Sequence, residues 1–155
     1  MTPGINQVKE NKVSHKIHEY THDESSESYG LEAADKMGVA QERVFKTLVV
    51  TLDNKELVVG IVPVSSMLSM KLIAKTVGAK KATMADKLDV ERSTGYVLGG
   101  VSPLGQKRRL STIIHSSASN YSSIYVSAGR RGLEIELSPA DLAKLTNGKF
   151  VDICQ

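Results

Sequence analysis

Hydrophobic positions change their period repeatedly along these 155 residues. Ile5, Val8 and Val13 suggest a short first helix, and the polar-alternating run 15–20 reads as an edge strand. A helix is predicted over 28–37. Ser28 can cap it, Leu31, Ala34 and Met37 recur at three-residue steps, and Gly38 can end it. Two Val/Leu-rich runs, 44–52 and 56–64, flank the polar turn Asp53-Asn54-Lys55 and predict a hairpin. A second amphipathic helix is expected over 69–77, stopped by Gly78, and a third over 84–90. Further strands are expected at 96–98, 123–126 and 133–137. A last helix starts at Ser138, with Pro139 in its first turn, and stops near Gly148.

Helices in irregular order, with a hairpin interrupting any βαβ rhythm, argue for an α+β fold. The expected form is a curved mixed β-sheet or small open barrel with peripheral helices. The length fits one domain over residues 1–155, with no internal repeat. There is no Trp, so the core must come from Val, Leu, Ile and Met. The net charge of +3 permits a polyanionic partner without demanding one. No stretch reaches the apolar length of a membrane span, the N-terminus carries no signal-like pattern, and the one cysteine, Cys154, excludes an internal disulfide framework. A soluble cytoplasmic protein is the expectation.

Residues 95–105, GYVLGGVSPLG, hold the most pointed chemistry. Glycines permit positive φ and close backbone approach, so such a turn can present N–H groups and the Ser102 hydroxyl to a polar ligand; it can equally be a tight turn without one. It is no nucleophile elbow, because the second glycine after Ser102 is missing. It is no phosphate loop either, because Gln106 stands where a lysine is required. Lys46, at the mouth of an apolar strand, could bind a phosphate or carbonyl oxygen as a point charge or simply be solvated. Histidines 15, 18, 22 and 115 lack a metal-site spacing: 15 and 18 would face opposite sides of a strand. Basic groups at Lys80-Lys81, Lys107-Arg108-Arg109 and Arg130-Arg131 would suit nucleic-acid phosphates if brought together. Tyr20 and Tyr29, with Asp23, Glu24 and Glu27 between them, could line a cleft or cover a sheet. Cys154 reads as a small tail residue.

Lys46-Thr47-Leu48, the 92–96 segment RSTGY, the turn 99–107 and the 125–134 segment YVSAGRRGLE together resemble the YbaK family of aminoacyl-tRNA deacylases across essentially the whole chain. The likeness is strongest to its free-standing Cys-tRNA(Pro) deacylases, whose fold is similar to the editing insertion of bacterial prolyl-tRNA synthetase. The resemblance implies hydrolytic removal of cysteine mischarged onto tRNA(Pro), since a proline pocket cannot strongly reject such a near-isostere. It implies that Lys46 is the critical side chain and that Gly99 and Gly100 supply backbone contacts near the ester. Tyr20, Tyr29, Ser127 and Glu134 would line the pocket, with Ser102 in the same turn. The substrate's own thiolate would attack its ester carbonyl, so only orientation and charge stabilisation are required of the protein. No cofactor or metal is implied. The partners implied are charged tRNA(Pro), touched partly by Lys107, Arg108, Arg109, Arg130 and Arg131, and prolyl-tRNA synthetase, with no membrane and no DNA. Two departures bear on selectivity: the pocket acid is often Asp in the family and is Glu134 here, and the second aromatic is often Phe and is Tyr29 here. Three alternatives stand beside this reading: an Ala-tRNA(Pro) deacylase, a Ser102/Lys46 small-ester hydrolase, and a non-catalytic tRNA- or synthetase-binding module.

Overall fold

A computed structural model describes residues 1–25 and 28–155; Glu27 of the acidic run lies outside them. Five α-helices and two sheets make up the described fold. α1 (Pro3–Glu10) is capped by Thr2, whose hydroxyl accepts from the Ile5 N–H at 3.2 Å. β1 (His15–Glu19) is the edge of a three-stranded antiparallel sheet, ordered β1-β7-β6, with β6 Ile124–Arg130 and β7 Leu133–Leu137. α2 (Tyr29–Met37) ends at Gly38, whose φ of 69° is the left-handed geometry that glycine adopts without cost.

The expected hairpin forms β2 (Phe45–Leu52) and β3 (Leu57–Pro63), paired from Phe45↔Pro63 to Thr51↔Leu57. They are the centre of a five-stranded mixed sheet, ordered β4-β2-β3-β5-β8. β4 is Ala82–Met84, β5 Ser111–His115 and β8 Lys149–Val151. β5 runs parallel to β3, and β8 parallel to β5. α3 (Met70–Thr76) is capped by the Ser69 hydroxyl, and α5 (Pro139–Thr146) by that of Ser138. The sheets do not close into a barrel.

Two expectations are corrected. Residues 82–84 are strand, because Met84 pairs with Val50; Asp86 has extended backbone and begins α4 (Lys87–Thr94) instead. Residues 96–98 are no strand. Gly95 and Gly99 both have positive φ and leave too few residues between them to pair, and the Tyr96 hydroxyl turns inward to donate to the Leu104 carbonyl.

The main core lies between the sheets. Phe45, Val49, Val59 and Ile61 of the larger meet Val126, Leu133 and Ile135 of the smaller, sealed by Ile5 and Val8 of α1 and Leu142 of α5. Each fully buried aliphatic side chain there contributes about 1.5–3 kcal/mol. The other face of the larger sheet packs on α3 through Val50, Val62 and Ile73. A third cluster joins α2 to Val44, Val64 and Tyr125. Among the described residues no helix is long and apolar enough to cross a membrane.

Candidate active site

A cavity of about 300 Å³ opens where β2, α2, the 98–101 turn and the β6–β7 hairpin meet. Tyr20, Tyr29, Lys46, Gly99, Ser127 and Glu134 all line it, together with Arg130 and Arg131. Residues scattered over more than a hundred positions thus share one wall.

Lys46 stands near the start of β2, opposite Val62, and is half-buried. Burial draws its ammonium below the ordinary lysine range, offset in part by the Cys154 thiol. That thiol is near because the segment 153–155 folds back: the Ser69 N–H donates to the Ile153 carbonyl at 2.7 Å and the Gln155 N–H to that of Met67 at 2.9 Å. Burial, then Asp152, push the Cys154 thiol up, so it is protonated and a poor nucleophile.

Glu134 lies on β7, paired with His18 on one side and Ser127 on the other. It is 6 % exposed, and no hydrogen bond or ion pair joins its carboxyl group to another described residue. Burial alone pushes its pKa up to about 8. The Tyr20 hydroxyl is pushed up to about 12, first by burial and then by Glu134. At neutral pH the cavity therefore holds a half-buried ammonium, a protonated carboxyl and a phenol. The Thr47 hydroxyl, also buried in this lining, has no hydrogen-bond partner among the described residues.

Tyr29 is held by a chain of contacts. The Arg131 guanidinium stacks 3.3 Å from the ring centroid. Its Nη1 donates to His22 Nε2 at 3.2 Å, and His22 Nδ1 lies 2.6 Å from Glu32 Oε1. Arginine only donates, so Nε2 accepts and the imidazole proton sits on Nδ1, facing Glu32. Burial raises Glu32, but the His22 contact and the Asp23 N–H, 2.8 Å from Oε2, outweigh it and hold the carboxylate low. Gly99 completes the packing. Its φ is 96°, and a Cβ there would lie 2.7 Å from Tyr29 Cε2 and 2.9 Å from Arg131 Nη2.

Other expected residues stand elsewhere. Gly100 packs behind the hairpin, where a Cβ would come within 3.0 Å of Arg130 Cα, and does not line the cavity. Ser102 is fully buried; its hydroxyl accepts from the Leu104 N–H at 3.1 Å and faces Gly4. No Ser102/Lys46 pair lines the cavity. The basic residues divide: Arg130 and Arg131 line the cavity, Arg108 and Arg109 line a different cleft, and Lys107 lines neither. Among the described residues no group of three or more His, Cys, Asp or Glu is arranged to hold a metal. His22, Glu32 and Thr47 escaped sequence reading. Along the sequence the histidines suggest nothing beyond metal ligation, and nothing local marks a threonine left without a partner.

Comparison with known proteins converges on one family. Residues 25–145 match the aminoacyl-tRNA editing domain. The "Putative Cys-tRNA(Pro)/Cys-tRNA(Cys) deacylase EbsC" of Enterococcus faecalis is 39% identical over 155 residues, covering 98% of this chain and 92% of EbsC. YwhH of Bacillus subtilis is 26% identical over 133 residues, 85% of this chain and 84% of its own. Among solved structures, "a putative trans-editing enzyme for prolyl tRNA synthetase" superposes with a TM-score of 0.84 at 21% identity, covering 100% of this chain and 99% of that one. Hypothetical protein APE2540 does so with 0.87 at 20% identity, covering 99% of each. These two share the fold. With the match spanning most of the chain, the protein belongs to the YbaK-type aminoacyl-tRNA editing domain family and is an aminoacyl-tRNA deacylase.

Proposed function

We propose that the chain, acting as one domain in the cytoplasm, removes cysteine from mischarged tRNA(Pro) beside prolyl-tRNA synthetase. The observation that carries this reading is the joint lining of one small cavity by Lys46 and a partnerless Glu134, while the serine and the cysteine that the sequence offers as nucleophiles stand aside: Ser102 is buried elsewhere and Cys154 is protonated. Lys46 holds the ester end of the substrate as a point charge. Glu134 and Tyr20 receive the aminoacyl group, and a substrate ammonium beside Glu134 would draw off its proton and form a dry ion pair. Gly99 leaves backbone open at the Tyr29 wall.

The substrate supplies the nucleophile. Its thiolate sulfur bonds to its own ester carbonyl carbon, the bond from that carbon to the tRNA 3′ oxygen breaks, and the 3′ oxygen leaves with the electron pair and takes a proton. A cyclic thioester and free tRNA result. The protein's part is orientation and charge stabilisation. The test is deacylation of tRNA(Pro) charged with cysteine, alanine or serine. Cysteine should be released fastest, since a thiolate is far more available near neutral pH than an alkoxide. Equal release of alanine would replace this reading with an alanine deacylase acting through water.

A further inference from the structure

A second cleft, of about 580 Å³, lies between the end of α1, the 103–110 loop and α5. Lys12, Arg108, Arg109 and Lys144 surround it, against one acid, Asp141. A third, of about 590 Å³, shares Arg109, Leu110, Thr112 and Thr146 with it and adds Lys149 against Glu56. The two form one groove with five cations and two carboxylates. All five cations are exposed, and none is ion-paired to a described residue. Asp141 is further occupied by the first turn of α5, where the helix dipole favours it.

The groove has a fixed floor. The Gly105 N–H donates to Gln7 Oε1 at 2.7 Å, and Gln7 Nε2 donates to the Leu145 carbonyl at 3.4 Å, tying loop, α1 and α5 together. The loop is pinned to α4 by the Lys107 and Arg108 N–H groups, which donate to the Thr94 and Ser93 carbonyls. Among the described residues no aromatic side chain lines either cleft. Bases cannot stack there, so the charge pattern suits the phosphates of a duplex rather than a single strand. The groove also adjoins the active site. Val101 lines the cavity and Pro103 lines the groove, so at most about 7 Å of chain separates the two walls.

We infer that this groove grips the phosphate backbone of the tRNA acceptor stem while the unpaired 3′ end enters the cavity. The choice of RNA rests on the deacylase reading. The grip predicts that Lys12, Lys144 and Lys149 matter although they lie outside every family motif in the chain.

The variant Lys12→Gln/Lys144→Gln/Lys149→Gln tests it. Filter binding of uncharged tRNA(Pro) should weaken about 10-fold or more at low salt, and the slope of log affinity against log salt should shrink by about 3, one per lost contact. Cleavage of the 3′-cysteinyl ester of adenosine, which reaches only the cavity, should be unchanged. Unaltered tRNA affinity and slope would overturn the inference, as would an equal loss on the adenosine ester. A variant that binds tRNA normally but no longer retains prolyl-tRNA synthetase would make the groove a protein surface, and the inference would fall. Wild-type protein whose groove binds tRNA yet which deacylates nothing would leave the groove standing and sink the deacylase reading.

Discussion

Glu134 and Glu136 lie two residues apart on the same face of β7 and live in opposite chemistry. Glu136 sits 2.9 Å from His18 Nε2, 2.5 Å from the Ser123 hydroxyl and 3.7 Å from Arg43. Burial raises its pKa, but the hydrogen bonds from Ser123 and His18 outweigh that and hold it low. Glu134 is more deeply buried and has none of these partners. One strand therefore carries an acid that supports the fold and an acid that burdens it, and the burdened one faces the cavity. A buried group left without a partner marks where a ligand completes the structure.

The comparison breaks most visibly at the half-buried lysine of the same cavity. Lys46→Ala should lower Cys-tRNA(Pro) deacylation about 100-fold to 1,000-fold while thermal unfolding shifts little. Single-turnover kinetics beside a melting curve check this, and a folded variant with near-normal turnover would remove Lys46 from the mechanism.

The next effect is the pH dependence of stability. The unfolded chain ionises Glu134 near 4.5, whereas the folded chain keeps its proton to about 8. The stability gained from holding that proton is whole below pH 4.5 and is lost as pH rises through about 8. Glu134→Gln should therefore exceed wild type by about 5 kcal/mol at pH 9, with the gap closing toward pH 4. Denaturant titrations across that range decide it, and a pH-independent gap would contradict a raised pKa.

Glu136 tilts the curve the other way, its contribution being present above the ordinary glutamate range and lost as pH falls. Glu136→Ala should cost about 2 kcal/mol near neutral pH, because it leaves His18 and Ser123 without their shared acceptor and removes the carboxylate that pairs with Arg43. A stabilised variant would place Glu136 with Glu134 and erase the contrast. The smallest effect belongs to Cys154→Ala. The thiol lies within electrostatic reach of Lys46 but is protonated, so activity should stay within about 2-fold of wild type. A large loss would move the nucleophile from substrate to protein.

Local signals account for what sequence reading reached. Ser69, Ser138-Pro139 and Gly38 bound helices by chemistry that needs no distant partner, and the 44–64 hairpin closes over a short turn. β5 and β8 escaped because both join the sheet by parallel pairing with strands remote in sequence, which leaves no turn to read. At the site, the family resemblance named Lys46, Tyr20, Tyr29, Gly99, Ser127 and Glu134, and the structure brings these six to one cavity. It could not show that Glu134 is dry. That follows from what is missing around the carboxyl group, and a missing partner has no residue to announce it. The His22–Glu32 support of Arg131 is likewise a product of packing, joining positions 10 and 109 residues apart.

The ring of Tyr29 beneath the Arg131 guanidinium has an optical consequence. The chain has five tyrosines and no tryptophan, so no indole masks phenol emission. Two of the five, Tyr20 and Tyr29, line the cavity, one beside an ionisable carboxyl and one beneath a cation. A ligand that moves Arg131 or takes the Glu134 proton alters the field on these rings, and the filling of the cavity is legible as native fluorescence without a label.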